Sequence, residues 1–320
     1  MATGLERPIQ PVNKDAVLPS LLNDSRLLIG FPDYQKPAQR LASKAGIPYT
    51  DALIHHFPDG ETRLRLPEAL PEQVVLCQTL DHPNSRLVEL VLAAATARDL
   101  GAKHITLVAP YLCYMRQDKA FQPGEAVSQR IVGTLLSQWI DALITVDSHL
   151  HRVHRLKDAV PVNPAINLTA SPVMSAFLMK QIDNPFLVGP DEESEQWVAS
   201  IARNRGFDYC VARKQRFGDQ QVRVSLPEAA YRNRHIVLVD DIASTGRTLE
   251  DAALGLARFE PASISVLVTH ALFVDDAQER LRRAGVSQIW STDAVPHPSN
   301  ALHLDHLLAE ALNGCKISPI

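Results

Sequence analysis

The feature that most constrains the fold is a repeated alternation of short apolar runs with longer amphipathic segments. In the first half, the runs at 27–30, 73–77, 104–109 and 142–146 have the length of buried strands. Segments with helical spacing lie between them, such as the one that begins at Pro83. Strands that alternate with helices in this way pair in parallel and are covered by helices on both faces. The pattern therefore predicts an α/β protein with mainly parallel sheets.

The alternation starts again in the second half, which indicates two domains. The chain has 320 residues, and a domain typically takes about 100–200. The predicted division is an arm at 1–24, a doubly wound domain at 25–160, a second one at 161–312 and a tail at 313–320. Within the second domain, the polar stretch 213–225 is expected to be an irregular loop. Ligands of such sheets bind at the carboxyl ends of the strands, so the residues that follow each strand are the functional candidates.

Composition excludes several classes of protein. Apolar residues make up 46% and charged residues 21% of the chain, and its net charge is −4. A slightly acidic chain is poorly suited to nucleic-acid binding, which needs clustered Lys and Arg. The apolar runs are shorter than the roughly 18 residues that span a bilayer, and the first residues lack a signal-peptide core, so we expect no membrane partner and a cytoplasmic location. Four separated cysteines form no CxxC pair.

The common nucleotide and hydrolase signatures are also missing. No two glycines are two or four positions apart, which rules out GxGxxG and GxSxG, and no Gly-Lys pair opens a Walker A loop. HExxH is absent as well.

The most informative segment is 237–248, VLVDDIASTGRT. A strand predicted at 236–239 ends in Asp240 and Asp241, and a helix is expected to begin at Thr248. The two carboxylates can accept hydrogen bonds from the vicinal hydroxyls of a sugar or help to hold a metal. The backbone N–H groups and hydroxyls that follow form an anion site at a helix N-terminus. Its candidate residues are Ser244, Thr245, Gly246 and Thr248. A phosphate site beside a diol site suits a sugar phosphate.

This segment resembles the phosphoribosyl-diphosphate loop shared by type I phosphoribosyltransferases and ribose-phosphate diphosphokinases. Five further segments resemble the diphosphokinases in order and spacing: FPDGE at 57–61, PYLCYMRQDK at 110–119, TVDSH at 145–149, GPD at 189–191 and ARKQR at 212–216. The resemblance covers about residues 25–312. It implies two phosphoribosyltransferase-like domains, the first on the ATP side and the second on the ribose 5-phosphate side.

The resemblance also implies a reaction and a role for each segment. The diphosphoryl group of ATP would move to the C1 hydroxyl of ribose 5-phosphate, with release of AMP. Lys214 and Arg216 would be catalytic, and His149 and Asp191 would hold Mg²⁺. The expected ATP-binding residues are Phe57, Asp59, Glu61, Arg116 and Gln117. The ribose 5-phosphate would lie against the 240–248 loop.

A shared site is a further implication. The 57–61 segment leads into a strand of alternating residues at 62–66, as expected for a projecting hairpin. In the family that it resembles, this segment contacts ATP bound to a neighbouring subunit. We therefore expect a homo-oligomer, either a dimer or a hexamer.

Two other functions stay open from the sequence. One is a type I phosphoribosyltransferase that uses the same loop on a nucleobase, and the other is a non-catalytic, diphosphokinase-like regulatory subunit. The chain also departs from many diphosphokinases, which have Asp where Ser244 stands and Gly where Arg247 stands. Glu192 and Glu193 add negative charge after Asp191 that could recruit Mg²⁺ or weaken phosphate binding. A transition-metal site formed by the histidines at 149, 151 and 154 is disfavoured, because no acidic residue completes the pattern.

Overall fold

The computed structural model describes residues 25–150, 152–217, 221–227 and 229–315, and it describes the backbone alone at 214–217 and 221–225. The predicted arm and all but the first three residues of the predicted tail lie outside these ranges.

The first half contains a parallel sheet, a separate hairpin and four helices. Its strands are β1 (Arg26–Gly30), β2 (Tyr49–Asp51), β3 (Leu53–His56), β4 (Thr62–Arg65), β5 (Gln73–Cys77), β6 (His104–Val108), β7 (Ala142–Val146) and β8 (Ala165–Leu168). Its helices are α1 (Gln35–Ala45), α2 (Pro83–Asp99), α3 (Ser128–Ser137) and the single turn α4 (Leu156–Ala159), and a 3₁₀ turn (Pro32–Tyr34) precedes α1.

The second half repeats this plan. Its strands are β9 (Phe186–Gly189), β10 (Asp208–Val211), β11 (Arg213–Phe217), β12 (Gln221–Ser225), β13 (His235–Ala243), β14 (Ser263–Ala271), β15 (Val286–Thr292) and β16 (Asn300–Leu302). Its helices are α5 (Ser171–Gln181), α6 (Glu195–Arg203), α7 (Arg247–Ala257), α8 (Ala277–Arg283) and α9 (Asp305–Gly314), with a 3₁₀ turn (Glu192–Ser194) before α6.

Each half is built on a six-stranded sheet. The strand orders are β2-β1-β5-β6-β7-β8 and β10-β9-β13-β14-β15-β16, and every pair in both sheets is parallel. In both sheets the chain builds outward in two directions from its first strand, which is the doubly wound arrangement. The predicted α/β fold class is confirmed. All the carboxyl ends of a parallel sheet lie along one edge, so each half presents one edge for ligands.

Helix α1 shows how the local sequence dictates these elements. Its buried residues are Ala38, Leu41, Ala42 and Ala45, at the i, i+3, i+4, i+7 spacing of one helix face. Gly46 ends the helix with φ of 67°, a left-handed conformation that glycine adopts at little cost.

The two halves are joined through a common core. Leu41 of α1 and Leu308 of α9 belong to one buried cluster. Asn313 Nδ2 donates to the Ala45 carbonyl at 3.2 Å. Arg40 pairs at 2.5 Å with Asp293, which follows β15 and is almost fully buried. The orientation of the two sheets is therefore set by apolar packing and by polar bonds across the contact.

Two predicted elements need correction. Within the stretch 213–225, the described residues 213–217 and 221–225 are the antiparallel strands β11 and β12, in which Lys214 pairs with Val224 and Arg216 with Val222, and not an irregular loop. Strand β13 runs to Ala243, so Asp240 and Asp241 lie within the strand and not after it. The strand can extend this far because β14 is also nine residues long and pairs with β13 as far as Ala271.

The position of strand β8 affects where the boundary between the two halves lies. It pairs with β7 at the edge of the first sheet, so the first sheet extends past residue 160, where we placed the boundary. Residues 313 and 314, assigned to the tail, continue α9. Among the described residues, no helix has both the length and the apolar character needed to cross a membrane.

Candidate active site

The carboxyl edges of the two sheets meet at His149 and Asp241. His149 follows β7 of the first sheet, and Asp241 lies near the end of β13 in the second. His149 Nδ1 is 2.8 Å from Asp241 Oδ2. The His149 ring also stacks on Trp197 of α6, with the ring centroids 6.4 Å apart. A residue predicted to bind metal is thereby joined to one predicted to bind the sugar.

Buried hydrogen bonds hold the turn that precedes His149. Asp147 has a φ of 40°, an uncommon backbone conformation for a residue other than glycine. Its Oδ2 accepts a hydrogen bond from the Ala170 N–H at 3.0 Å and another from Thr269 Oγ1 at 2.9 Å. Burial raises the pKa of Asp147 to about 6.

His270, in the second half, also bonds to the backbone next to the turn that precedes His149. Its Nε2 lies 3.1 Å from the Val146 carbonyl and therefore donates to it. Burial lowers the pKa of His270 to about 4, so its ring is neutral near pH 7. Thr269 and His270 are neighbours on β14, and both reach across to the end of β7.

Asp240 and Asp241 have different surroundings although they are adjacent. Asp240 Oδ1 accepts a hydrogen bond from the Asp241 N–H at 3.0 Å. The pKa of Asp240 is raised well above its ordinary value, first by burial and then by the negative charges of Asp241 and Asp191. Asp191 follows β9 and accepts from the Glu193 N–H at 3.1 Å. Three predicted site carboxylates thus lie close enough for their charges to interact.

The loop from β13 to α7 has the form of an anion site. The half-buried Ser244 and the exposed Thr245 lead to Gly246, whose φ is 69°. Helix α7 begins directly afterwards at Arg247, one residue before the predicted start at Thr248. The N–H groups of such a first turn have no partners within the helix, and together with the helix dipole they attract anions.

The 110–119 segment lies against the His149 turn. Arg116 is exposed and lines a small crevice together with His149 and Ile242. Gln117 Oε1 accepts a hydrogen bond from the Ser128 hydroxyl at the start of α3, at 2.8 Å. The buried carboxylate of Asp118 pairs with Arg152 at 2.7 Å, which ties this segment to the chain just beyond His149.

The predicted nucleotide residues at 57–61 lie elsewhere. They form the exposed tip of the β3–β4 hairpin, where the Phe57 N–H donates to the Glu61 carbonyl at 2.8 Å. Asp59 accepts from the Glu61 N–H at 3.1 Å, and Phe57 is 38% exposed. Among the described residues, no hydrogen bond or ring contact joins this tip to Arg116 or Gln117.

The catalytic candidates Lys214 and Arg216 lie on β11, where the structure describes the backbone alone. Two positions apart on a strand, they belong to one face of the hairpin. Residue 151 of the disfavoured histidine site lies outside the described residues. His154 lines a cavity of about 330 Å³ beside Trp197 and Asn167.

Sequence reasoning missed the residues that fasten the two edges together. In the sequence, Asp147 stands out only as part of the segment that carries His149, and no motif marks Thr269 or His270. The sequence did contain one indication of this contact. Asp147 on one side, and Thr269 and His270 on the other, lie at the carboxyl ends of predicted parallel strands. The pairing itself depends on how the sheets dock, which no local pattern encodes.

Two doubly wound sheets, with an acidic strand end that runs into an anion-binding helix start, define a protein of the phosphoribosyltransferase type. Consistent with this class, residues 168–297 match a family model described as the phosphoribosyl transferase domain. Residues 27–139 match the model of the N-terminal domain of ribose phosphate pyrophosphokinase.

Comparison with curated relatives identifies the family, within this class, to which the chain belongs. Ribose-phosphate pyrophosphokinase of Methanopyrus kandleri is 33% identical over 280 residues, which is 87% of this chain and 95% of that protein. The protein of the same name from Methanosarcina acetivorans is 31% identical, over 89% of this chain and 98% of its own. The chain belongs to the ribose-phosphate pyrophosphokinase family.

The overall structure resembles a solved member of similar size. The crystal structure of phosphoribosylpyrophosphate synthetase from Mycobacterium smegmatis matches with a TM-score of 0.78 at 21% identity, over 91% of this chain and 98% of that one. At that level of identity, the likeness shows a common fold.

Proposed function

We propose that this chain transfers the diphosphoryl group of ATP to the C1 hydroxyl of ribose 5-phosphate, giving 5-phosphoribosyl 1-diphosphate and AMP. The observation that carries the proposal is the contact between His149 and Asp241, which joins the edge of the first sheet to the sugar-phosphate loop of the second. A transfer between two phosphorylated substrates needs a site that holds both of them side by side. Here, residues of both halves line one site. The name shared by the relatives supports the same reaction.

The second half would bind ribose 5-phosphate. Asp240 and Asp241 accept hydrogen bonds from the ribose hydroxyls. The 5′-phosphate lies on the start of α7, where the N–H groups and the helix dipole favour an anion. Its ligands are Ser244, Thr245, Gly246 and Thr248.

The first half would bind ATP. Arg116 offers a planar, charged fork beside His149, which suits phosphate or the edge of adenine. Gln117 offers a neutral amide nearby. The exposed tip with Phe57, Asp59 and Glu61 would reach the ATP of a second copy of this chain, so the working unit is a homo-oligomer, a dimer or a hexamer.

We propose Mg²⁺ as the cofactor, and the donor groups fit it. Carboxylate oxygens are hard ligands, and a cation beside Asp191 and Asp241 would offset the negative charges that help to raise the pKa of Asp240. In the described part of the chain, no three His, Cys, Asp or Glu side chains form a group that could hold a metal. That is compatible with Mg²⁺, which usually takes one or two protein ligands together with waters and substrate phosphates. His149 and Asp191 would be those ligands, directly or through water, and bound Mg²⁺ would neutralise phosphate charge.

Lys214 and Arg216 would act on the transferred group. The sugar hydroxyl attacks the β-phosphorus in line with the departing AMP, and negative charge builds up on the phosphoryl oxygens. Two cations on one face of the β11–β12 hairpin can stabilise that charge and the leaving group. The expected compartment for this reaction is the cytoplasm.

The test is to incubate the purified chain with ATP, ribose 5-phosphate and Mg²⁺ and to measure AMP by chromatography. AMP formation that requires both substrates is the expected result. A type I phosphoribosyltransferase would instead consume 5-phosphoribosyl 1-diphosphate together with a nucleobase, and a regulatory subunit would do neither.

A further inference from the structure

Arg280 of α8 lies behind the loop that we assign to the 5′-phosphate. Its Nη2 donates to the Thr245 carbonyl at 2.5 Å, and its Nε donates to Glu250 Oε2 at 2.9 Å. Its Nη1 pairs with Asp276, the residue just before α8. One guanidinium therefore bridges the loop, the first turn of α7 and the start of α8. About a quarter of the Arg280 side chain is exposed, at 26%.

The contact with Thr245 determines where the next N–H points. The Thr245–Gly246 peptide is trans, because Asn163–Pro164 is the sole cis bond among the described residues. In a trans peptide, the carbonyl and the following N–H point in opposite directions. When the Thr245 carbonyl points towards Arg280, the Gly246 N–H points away from Arg280. Among the described residues, the structure shows no acceptor for that N–H.

Arg280 is poorly placed to attract the phosphate by charge alone. Two carboxylates, Glu250 and Asp276, lie against its guanidinium and offset most of its positive charge. Glu250 also donates its backbone N–H to the Gly246 carbonyl at 2.8 Å. Arg280 thus contacts the residue before Gly246 and the side chain of the residue whose N–H bonds to the Gly246 carbonyl, and Gly246 itself has the left-handed φ of 69°.

We infer that Arg280 is a positioning residue for ribose 5-phosphate, which acts by holding the Thr245–Gly246 peptide so that the Gly246 N–H faces the 5′-phosphate. This inference rests on the proposed function, because it takes the 244–248 loop as the phosphate site. It assigns Arg280 no contact with the substrate.

The test compares Arg280→Met, which keeps the aliphatic stem, with the wild-type chain. Isothermal titration calorimetry with ribose 5-phosphate should show a Kd higher by about tenfold, the scale of one hydrogen bond to a charged group. The KM for ATP and the kcat at saturating ribose 5-phosphate should stay within about twofold, since the loop is held in the bound complex by the phosphate itself. An unchanged Kd, or an equal rise in the KM for ATP, would overturn the inference.

Arg283→Met is the matched control. Arg283 is on the same helix and has the same type of ion pair, with Glu279 four residues earlier, but among the described residues no hydrogen bond joins it to the loop. Its Kd for ribose 5-phosphate should equal that of the wild type. If Arg283→Met weakens binding as much as Arg280→Met does, general charge is responsible and the inference fails.

Arg280→Lys separates geometry from charge. A lysine keeps the cation but lacks the fork that holds Glu250 and the Thr245 carbonyl at once, so binding should still weaken by at least about threefold. Full wild-type affinity in Arg280→Lys would show that the charge alone suffices. If Arg280→Met does not fold, Glu250→Gln, which loosens the anchor of Arg280, should raise the same Kd, and an unchanged Kd would again refute the inference.

The experiment distinguishes a failure of this inference from a failure of the proposed function. A wild-type chain that binds ribose 5-phosphate but releases no AMP overturns the proposed reaction alone, because the binding comparison still decides the role of Arg280. A wild-type chain that does not bind ribose 5-phosphate overturns both.

Discussion

Asp241 is the residue at which the two halves of the site meet. Its Oδ2 lies 2.8 Å from His149, while its backbone N–H donates to Asp240. The sequence pattern predicted the two adjacent carboxylates as one pair. The structure distinguishes them, because Asp241 is joined to the first half and Asp240 is crowded by neighbouring negative charge. That difference could not be predicted, since it depends on a contact between residues 92 positions apart.

The first prediction concerns Asp241→Asn. The amide keeps the size but accepts hydrogen bonds from ribose hydroxyls less strongly than a carboxylate does. The KM for ribose 5-phosphate should rise about tenfold or more, and more than the KM for ATP. Asp208→Asn on β10, where the exposed carboxylate pairs with Arg234 at 3.1 Å, is the control. A rise confined to ATP would mean that the two subsites are reversed.

The second prediction concerns the metal. His149→Ala should raise the Mg²⁺ concentration needed for half-maximal activity, and EDTA should abolish the activity of the wild-type chain. The exposed His306 on α9 provides the control, and His306→Ala should leave the Mg²⁺ requirement unchanged. The measurement is the initial rate of AMP formation against free Mg²⁺. Full activity in metal-free buffer would contradict the assignment.

At the scale of elements, the central strands and the longer helices could be predicted, and the edges could not. Strand β5 and helix α2 have apolar runs or helical spacing that local sequence shows directly. Strand β8 lies at a sheet edge and is only partly buried, so its hydrophobic signal is weak. The β11–β12 hairpin was missed for a similar reason, because Val222 and Val224 alternate with polar residues over only five positions.

The third prediction concerns that hairpin. Lys214→Ala or Arg216→Ala should lower kcat by about 10²–10³, the loss of one preorganised charged donor, with little change in substrate binding. Arg213 is one position from Lys214 on β11 and therefore belongs to the opposite face of the hairpin. The kcat of Arg213→Ala should stay within about twofold of the wild-type value. Steady-state kinetics with both substrates varied gives each constant. An unchanged kcat in both variants would refute the catalytic role.

The fourth prediction concerns the contact between strand ends β7 and β14. Thr269→Val removes the donor to Asp147 at nearly constant volume, and the turn that carries His149 loses a support from the second half. The kcat should fall by about tenfold, and Thr269→Ser should restore it. In a His149→Ala background, Thr269→Val should have little further effect, because it acts through that histidine.

The control for Thr269 lies on the neighbouring strand. Thr292 is equally buried and donates to the Thr269 carbonyl at 2.7 Å. Thr292→Val deletes this bond and the one that Thr292 Oγ1 accepts from the Ala294 N–H, without touching Asp147, so its kcat should exceed that of Thr269→Val. Equal losses of kcat in the two variants, or additive effects of Thr269→Val and His149→Ala, would contradict this prediction. Either result would show that the contact contributes to general stability and not to the position of His149.

At the scale of the whole molecule, sequence resemblance predicted the two-sheet plan, but not where the added charge would lie. Glu192 and Glu193 are exposed and line an open depression with Arg203 and Tyr209. That lining includes none of the predicted site residues. The extra negative charge thus faces the outer surface of α6, and Asp191 is the member of this segment whose charge raises the pKa of Asp240.

The fifth prediction is that active sites are shared between copies. The tip of the β3–β4 hairpin is exposed and lacks recorded bonds to Arg116 or Gln117 among the described residues. A mixture of Glu61→Ala chains and Lys214→Ala chains, each inactive alone, should regain part of the activity after subunit exchange, because some mixed sites carry neither change. No recovery, together with a mass near 35.3 kDa by light scattering in active fractions, would contradict sharing.

The central claim is that the β-phosphorus of ATP is the atom attacked. Phosphorus NMR of a reaction of the wild-type chain with ATP, ribose 5-phosphate and Mg²⁺ tests it most directly. The account predicts equal amounts of AMP and a new sugar diphosphate, seen as a pair of coupled doublets, with no ADP. The appearance of ADP with a sugar bisphosphate would show attack at the γ-phosphorus and contradict the account, as would inorganic diphosphate released without a sugar product.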